Sequence, residues 1–353
     1  MGEEMEEVLV EDFKRIAQGN LPMEEFKNRT FVITGATGLI GSLLVRFLLF
    51  ANREYDLHVQ VKAVVRNVDK ARQILGEEKP GELSYLVSDL AKTGVHCDGD
   101  CDYIIHAAAV TASKLMVSDP IGTIRTAIDG TEKMLQLAVE KKVKSFIYIS
   151  SMEIYGQPKV EGKTAEKDLG YVDIGAVRSC YPEGKRMCEC LCTAYAAQYG
   201  VNVKSARLAQ TFGAGILPSE NRVFAQFARS AVNKEDIVLH TMGESEGNYV
   251  YTADAIAAIL TLLVKGEAGE AYNIANEESH TNIRSMAEMV AGKIADHQIQ
   301  VVIDIPEDSA SLGYAPPVKM WLDASKMCAL GWKPAVNLEE SYRRMIRWMR
   351  EQE

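Results

Sequence analysis

No apolar run in this 353-residue chain approaches the length of a membrane span, and no positively charged segment followed by an apolar stretch marks an export signal. Met1 to Glu7 are acidic instead. Excess positive charge is missing too: 39 basic side chains stand against 49 acidic ones, a formal net charge of −10. That balance argues against general binding to nucleic acid or to an anionic membrane. It still allows an anionic ligand, because a helix N-terminus or a local group of arginines holds phosphate inside an acidic protein. Cysteines are few, seven in all, and none is arranged for zinc. Cys97 and Cys101 have no second pair or histidine partner at ligand spacing, and Cys188, Cys190 and Cys192 alternate along a helical stretch and cannot converge on one face. These features lead us to expect a cytoplasmic protein with reduced thiols and no structural metal. Internal repeats and low-complexity linkers are also lacking.

What is present is ordinary globular composition, 47% hydrophobic and 25% charged. The length suits one dinucleotide-binding domain with a smaller appended region. Residues 1–28 read as an acidic helical extension, with Val8, Leu9, Phe13 and Ile16 near helical spacing and Gly19-Asn20 ending the run. Strands and helices then alternate. Strands are expected at 31–34, 59–65, 83–87, 103–106, 146–150 and 203–208, and helices at 39–50, 121–141 and 181–199. Short, nearly continuous apolar strands separated by helices imply a buried parallel sheet, doubly wound, with helices on both faces. The dinucleotide-binding domain is expected over 29–210 and 250–276, and a smaller α/β substrate region over 211–249 and 277–353.

Between the first strand and first helix lies Thr34-Gly35-Ala36-Thr37-Gly38-Leu39-Ile40-Gly41. Glycines at 35, 38 and 41 permit the tight turn, the close approach of a pyrophosphate and the packing of helix on strand. Thr37, Leu39 and Ile40 complete the turn, whose free N–H groups would face phosphate. An acidic residue ending the second strand would bind the adenosine ribose of NAD; the chain has Arg66 there. Arg66 is suited to a 2′-phosphate, to stacking on adenine, or simply to solvent, which leaves NADP possible beside NAD. Ser88-Asp89-Leu90 and His106-Ala107-Ala108-Ala109 follow the next two strands, with Asp89 and Leu90 near the adenine and Ala107 and Ala108 offering small residues beside the cofactor.

Tyr181 and Lys185 lie four apart on an expected helix and so share a face. An unperturbed phenol, with a pKa near 10, is too weakly acidic to serve as a base. A neighbouring ammonium and a nicotinamide cation would favour its phenolate. Ser151, at the end of the preceding strand, is placed to hydrogen-bond the same substrate oxygen.

With these residues in this order, the chain resembles an extended short-chain dehydrogenase/reductase of the NAD-dependent epimerase/dehydratase family. The likeness runs from about residue 29 to the C-terminus through Ile149 to Gly156, Arg178 to Arg186, Arg207 to Gly213, Tyr249 to Asp254 and Leu330 to Pro334. It resembles UDP-glucuronate decarboxylases most around Tyr181, and nucleotide-sugar 4,6-dehydratases at Ser151 to Gly156. The resemblance implies that Tyr181 takes a proton from the sugar C4 hydroxyl as hydride passes to the nicotinamide. Lys185 would tune Tyr181, and Ser151 would steady the oxygen. Glu153 falls where dehydratases carry their base at C5. Met152 replaces an acid or serine, and a thioether cannot donate a proton. Gly247 falls where the decarboxylases have an arginine, Ala127 replaces an asparagine, and Gln210 replaces another. Gln210 and Arg222 are the substrate-binding candidates, Arg222 toward the pyrophosphate.

The resemblance thus implies a nucleotide-diphosphate sugar as substrate and a homodimer. The expected activity is oxidation to a 4-keto sugar, then C5 chemistry or C4 epimerisation, in surface polysaccharide synthesis. Two alternatives are an NADP-dependent carbonyl reductase on a small substrate and a non-catalytic dinucleotide sensor.

Overall fold

The computed structural model describes residues 5–306 and 318–352. The chain runs α1 (Glu7–Gln18), β1 (Thr30–Thr34), α2 (Leu39–Tyr55), β2 (Gln60–Val65), α3 (Val68–Leu75), β3 (Leu83–Val87) and β4 (Tyr103–His106). It continues through α4 (Ser113–Ser118), α5 (Pro120–Lys141), β5 (Ser145–Ser151), α6 (Cys180–Tyr199), β6 (Val203–Leu208), β7 (Gln210–Phe212), α7 (Val223–Asn233) and β8 (Ile237–Leu239). The last part comprises β9 (Glu246–Tyr251), α8 (Thr252–Lys265), β10 (Ala271–Ile274), β11 (Asn276–Asn282), α9 (Ile283–Met289), β12 (Val301–Ile303), α10 (Ser325–Ala329) and α11 (Leu338–Glu351). All the expected strands and helices of the first 210 residues are there, most ends within a residue of expectation, while α2 runs on to Tyr55 instead of stopping at Phe50.

Seven strands form one parallel sheet in the order β3-β2-β1-β4-β5-β6-β10. Alternation along each strand sends side chains to both faces, and both faces are covered. On one, Phe31, Ile33, Ile105 and Ile147 join the core beneath α2 and α8; on the other, Val32, Ile104, Phe146 and Tyr148 meet residues of α5 and α6. The chain steps outward from β1 to β3 and then returns to the opposite side of β1 as β4. At such a reversal the connections leave in opposite directions, which opens a crevice at the carboxyl ends of β1 and β4.

Where the sequence pattern becomes irregular, β7, β9 and β11 make a three-stranded sheet and β8 pairs with β12. The Asn248 side chain donates to the Leu322 carbonyl at 3.2 Å and accepts from the Leu322 N–H at 3.1 Å, fixing the returning chain to β9. One hydrophobic cluster runs from the main sheet through these smaller sheets to Tyr342, Met345 and Trp348 of α11.

The helical extension is part of that same core. Phe13 packs on Phe47 and Phe50 of α2, with ring centroids 5.6 Å apart in each case. Beside it Asp12, only 1% exposed, accepts from the Tyr251 hydroxyl at 2.5 Å and pairs with Arg15 at 3.1 Å and Arg344 at 3.0 Å. Burial pushes its carboxyl up to about 6, against the pull of Tyr251 and the two arginines. Removing one partner from a buried charged group strands the others. Asp12→Ala is therefore expected to destabilise the fold by about 3 kcal/mol, read from the shift of the urea unfolding midpoint; an unmoved midpoint would show that the network contributes nothing.

Candidate active site

The crevice at β1 and β4 is built by backbone approach. Gly35 follows β1 with φ +64°, and a Cβ there would lie 2.7 Å from the Ala107 carbonyl carbon and oxygen and 2.8 Å from the Ala108 nitrogen. A Cβ on Gly41 would lie 2.2 Å from the Gly35 oxygen, so α2 packs directly on the turn that precedes it. Gly38 caps α2 in an extended conformation with no side-chain cap. The N–H groups of Leu39, Ile40 and Gly41, in the first turn, therefore have no partner within the helix. Thr34 and His106 close the base of the crevice: their Oγ1 and Nδ1 are hydrogen-bonded at 2.7 Å, and Thr34 Oγ1 accepts from the Ala108 N–H at 3.1 Å.

Gly35, Thr37, Gly38, Leu39, Ile40, Gly41, Ala107 and Ala108 thus gather at one mouth. A bare backbone cradle with an uncapped helix start is what a dinucleotide pyrophosphate requires, so the residues fit the cofactor expected of them. Further along the same edge Arg66 stands exposed after β2, while Asn67 caps α3 by accepting from Lys70 N–H at 2.9 Å. Asp89 accepts from Ala91 N–H at 3.3 Å and pairs with Lys92 at 3.2 Å. Leu90 is buried, and its carbonyl accepts from Lys133 Nζ at 2.8 Å. Ser88 turns inward, its hydroxyl donating to the Gly94 carbonyl at 3.1 Å.

The phenol, the ammonium and the hydroxyl converge as well. Lys185 Nζ lies 5.8 Å from the centre of the Tyr181 ring, 4.7 Å from that of Tyr148, and donates to the Ile149 carbonyl at 2.6 Å. Both side chains are buried, and the consequence differs in sign: burial pushes the Tyr181 phenol up to about 12 and the Lys185 ammonium down to about 8. After burial, the charge of Glu153 is the next influence raising Tyr181, whereas a hydrogen bond from Ser151 and the charges of Arg222 and Arg178 lower it. Glu153 is held in place by Ser151 Oγ, which accepts from its N–H at 3.2 Å.

Sequence reasoning missed Arg178. In the turn just before α6, it grips Glu153 with two hydrogen bonds, NH1 to Oε2 at 2.6 Å and NH2 to Oε1 at 3.1 Å. The signal was there as opposite charges at the end of β5 and just before α6, but nothing local says that the two elements meet. Arg222 is exposed and bonded to Glu220 at 3.0 and 2.6 Å, yet near enough for its charge to act on Tyr181. Gln210 is half-buried at the start of β7, in register with Tyr249 of β9.

Residues 31–275 match the NAD dependent epimerase/dehydratase family. The chain is 28% identical over 330 residues to UDP-glucuronic acid decarboxylase 1 of Danio rerio, covering 92% of this chain and 74% of that one. It is 30% identical over 316 residues to UDP-glucuronic acid decarboxylase 6 of Arabidopsis thaliana, covering 89% and 86%. Among solved structures, UDP-glucose 4-epimerase of Thermotoga maritima superposes with a TM-score of 0.75 at 22% identity, over 92% of this chain and 99% of that one. UDP-glucuronic acid 4-epimerase of Bacillus cereus, solved with UDP-glucuronic acid and NAD, gives 0.73 at 21% identity, over 92% and 100%. The glycine crevice, the Tyr181–Lys185–Ser151 group and the match across most of the chain lead to one conclusion: this protein belongs to the NAD-dependent epimerase/dehydratase family of enzymes.

Proposed function

We propose that the protein oxidises the sugar of a nucleotide-diphosphate sugar at C4 and then acts at C5. The observation that carries this reading is the convergence of Tyr181, Lys185 and Ser151 beside the glycine crevice, with Glu153 within electrostatic reach of the phenol. Bound NAD would supply the hydride acceptor. Tyr181 takes the C4 hydroxyl proton; the Lys185 charge favours its phenolate, and Ser151 holds the C4 oxygen by a hydrogen bond. Arg178 holds both oxygens of Glu153, the carboxylate we assign as base at C5, with two hydrogen bonds. Met152 beside it has no proton to give, so any protonation step in this pocket falls to another group. Arg222 is the candidate for the substrate diphosphate, exchanging part of its bonding to Glu220 for phosphate oxygens. The decarboxylase names of the relatives support the nucleotide-sugar class, and surface polysaccharide synthesis is the role we propose for the product.

Arg66 favours one competing reading, an NADP-dependent carbonyl reductase, because it stands exposed just after β2. Cofactor use separates the two: a reductase oxidises NADPH in step with product, whereas the sugar cycle can return its hydride.

Purified protein incubated with UDP-, dTDP-, GDP- and CDP-sugars, with products followed by NMR, is expected to convert at least one; no conversion and no binding across the panel would refute the sugar assignment. On a converted substrate, Tyr181→Phe should lower turnover by roughly 10²–10⁴-fold while NAD still binds. Undiminished turnover would remove Tyr181 from the role of base. Arg66→Ala should weaken NADP binding by about tenfold, roughly the worth of one charge-assisted pair, and leave NAD affinity nearly as it was. Calorimetry with each dinucleotide reads this, and equal losses for both would assign Arg66 to the adenine.

A further inference from the structure

Beneath the Tyr181–Lys185 pair the sheet carries polar atoms with nothing to bond. His106 and Tyr148 are register partners on β4 and β5, and Ser150 follows Tyr148 by two residues, so all three project from the same face. That face is the one α6 covers, and Lys185 of α6 sits over the Tyr148 ring. His106 Nε2, Ser150 Oγ and the Tyr148 hydroxyl are each sealed from solvent without a hydrogen-bond partner. Tyr148 has its hydroxyl beside Cys188. His106 Nε2 and Ser150 Oγ have no hydrogen-bond partner among the described residues. His106 cannot turn away, because Nδ1 is fixed to Thr34 Oγ1 at 2.7 Å and the ring lies between Phe146 and Tyr148, with centroids at 6.3 and 5.9 Å.

Buried polar atoms are nearly always satisfied, and a buried water typically makes about three hydrogen bonds to such groups. Lys185 brings the third partner. It has three N–H donors, of which one goes to the Ile149 carbonyl. We propose that a single buried water bridges His106 Nε2, Ser150 Oγ and the Lys185 ammonium, making His106 and Ser150 positioning residues for the charge on Lys185. His106 suits the task because its imidazole stays neutral: burial, and then the Lys185 charge, drive its pKa down to about 3. A neutral ring held by Thr34 presents Nε2 as a fixed partner for the water. The water in turn solvates an ammonium that burial otherwise penalises.

The inference rests on reading Tyr181 and Lys185 as the hydride-transfer pair, because its consequence is electrostatic. Lys185 faces Tyr148, Tyr181, Cys188, Glu189 and Cys192, and Tyr181 also faces Glu153, Arg178 and Arg222. Without the water, Lys185 loses its proton at lower pH, and the phenolate of Tyr181 loses the compensating charge that lies 5.8 Å from its ring centre.

The test uses the full-length protein saturated with NAD. Tyr181 ionisation is followed by ultraviolet phenolate absorbance, each protein being read against its own Tyr181→Phe partner. His106→Leu should move the Tyr181 midpoint up by about one pH unit or more, the usual effect of a charge at this range. His106→Gln, which keeps a neutral hydrogen-bonding group, should recover most of the shift, and Ser150→Ala should give a smaller shift of the same sign. A crystal structure of the NAD complex should show the water on all three atoms. An unmoved midpoint in His106→Leu, or a dry site, overturns the proposal. If His106→Leu does not fold, Ser150→Ala decides in the same way. Failure of the wild-type protein to bind NAD would instead sink the reading of the crevice, and this inference with it.

Discussion

The absence of a side chain at Gly35 is the condition on which the rest of the site depends. Only a bare α-carbon lets the turn after β1 come within contact of the Ala107–Ala108 backbone, and only then does α2 start where its N–H groups face the crevice. The Thr34–His106 bond fixes the same two strand ends from below. Bulk introduced here would displace the helix start and the strand end together. The glycine pattern is thus a statement about two backbones meeting, and the phosphate site proposed for the crevice would follow from that meeting.

A second constraint is the conflict between burial and charge around Tyr181. The interior opposes both the phenolate and the ammonium, so neither group is well suited to catalysis alone. Lys185 Nζ lies 5.8 Å from the centre of the Tyr181 ring, and Ser151, Arg222 and Arg178 pull the phenol down against its burial. Glu153 works against the phenolate, and Arg178 offsets that by pairing with it on both oxygens. The site is an arrangement of opposed charges within a few ångströms, held on the rigid end of a strand and the first turns of a helix.

Much of this was legible in the sequence because it is local. The Gly35–Gly41 turn, the Tyr181–Lys185 spacing and the serine closing β5 are each set by neighbours within one element or one turn, and the alternation of strands and helices implied a parallel sheet covered on both faces. What was not legible is pairing between distant segments. The bonds of Arg178 to Glu153, Asn248 to Leu322, and His106 to Thr34 join residues 25 to 74 apart in the chain, and composition or periodicity does not specify such partners. The region after residue 211 lacked a clear pattern because its strands are split between two small sheets and β11 is polar along its whole length, so no apolar run or alternation marks it.

The docking of α1 has a practical side. Tyr251, whose hydroxyl Asp12 accepts, also has its ring against Gly213, where an added Cβ would lie 2.3 Å away. Trimming the gene to the span recognised by the family, from residue 31 onward, would bare the rings of Phe47 and Phe50 to water. It would also leave Arg344 and the tyrosine hydroxyl facing an emptied interior. A leading segment outside the family-matched span is, in this chain, one wall of the core that α2, α8 and α11 share.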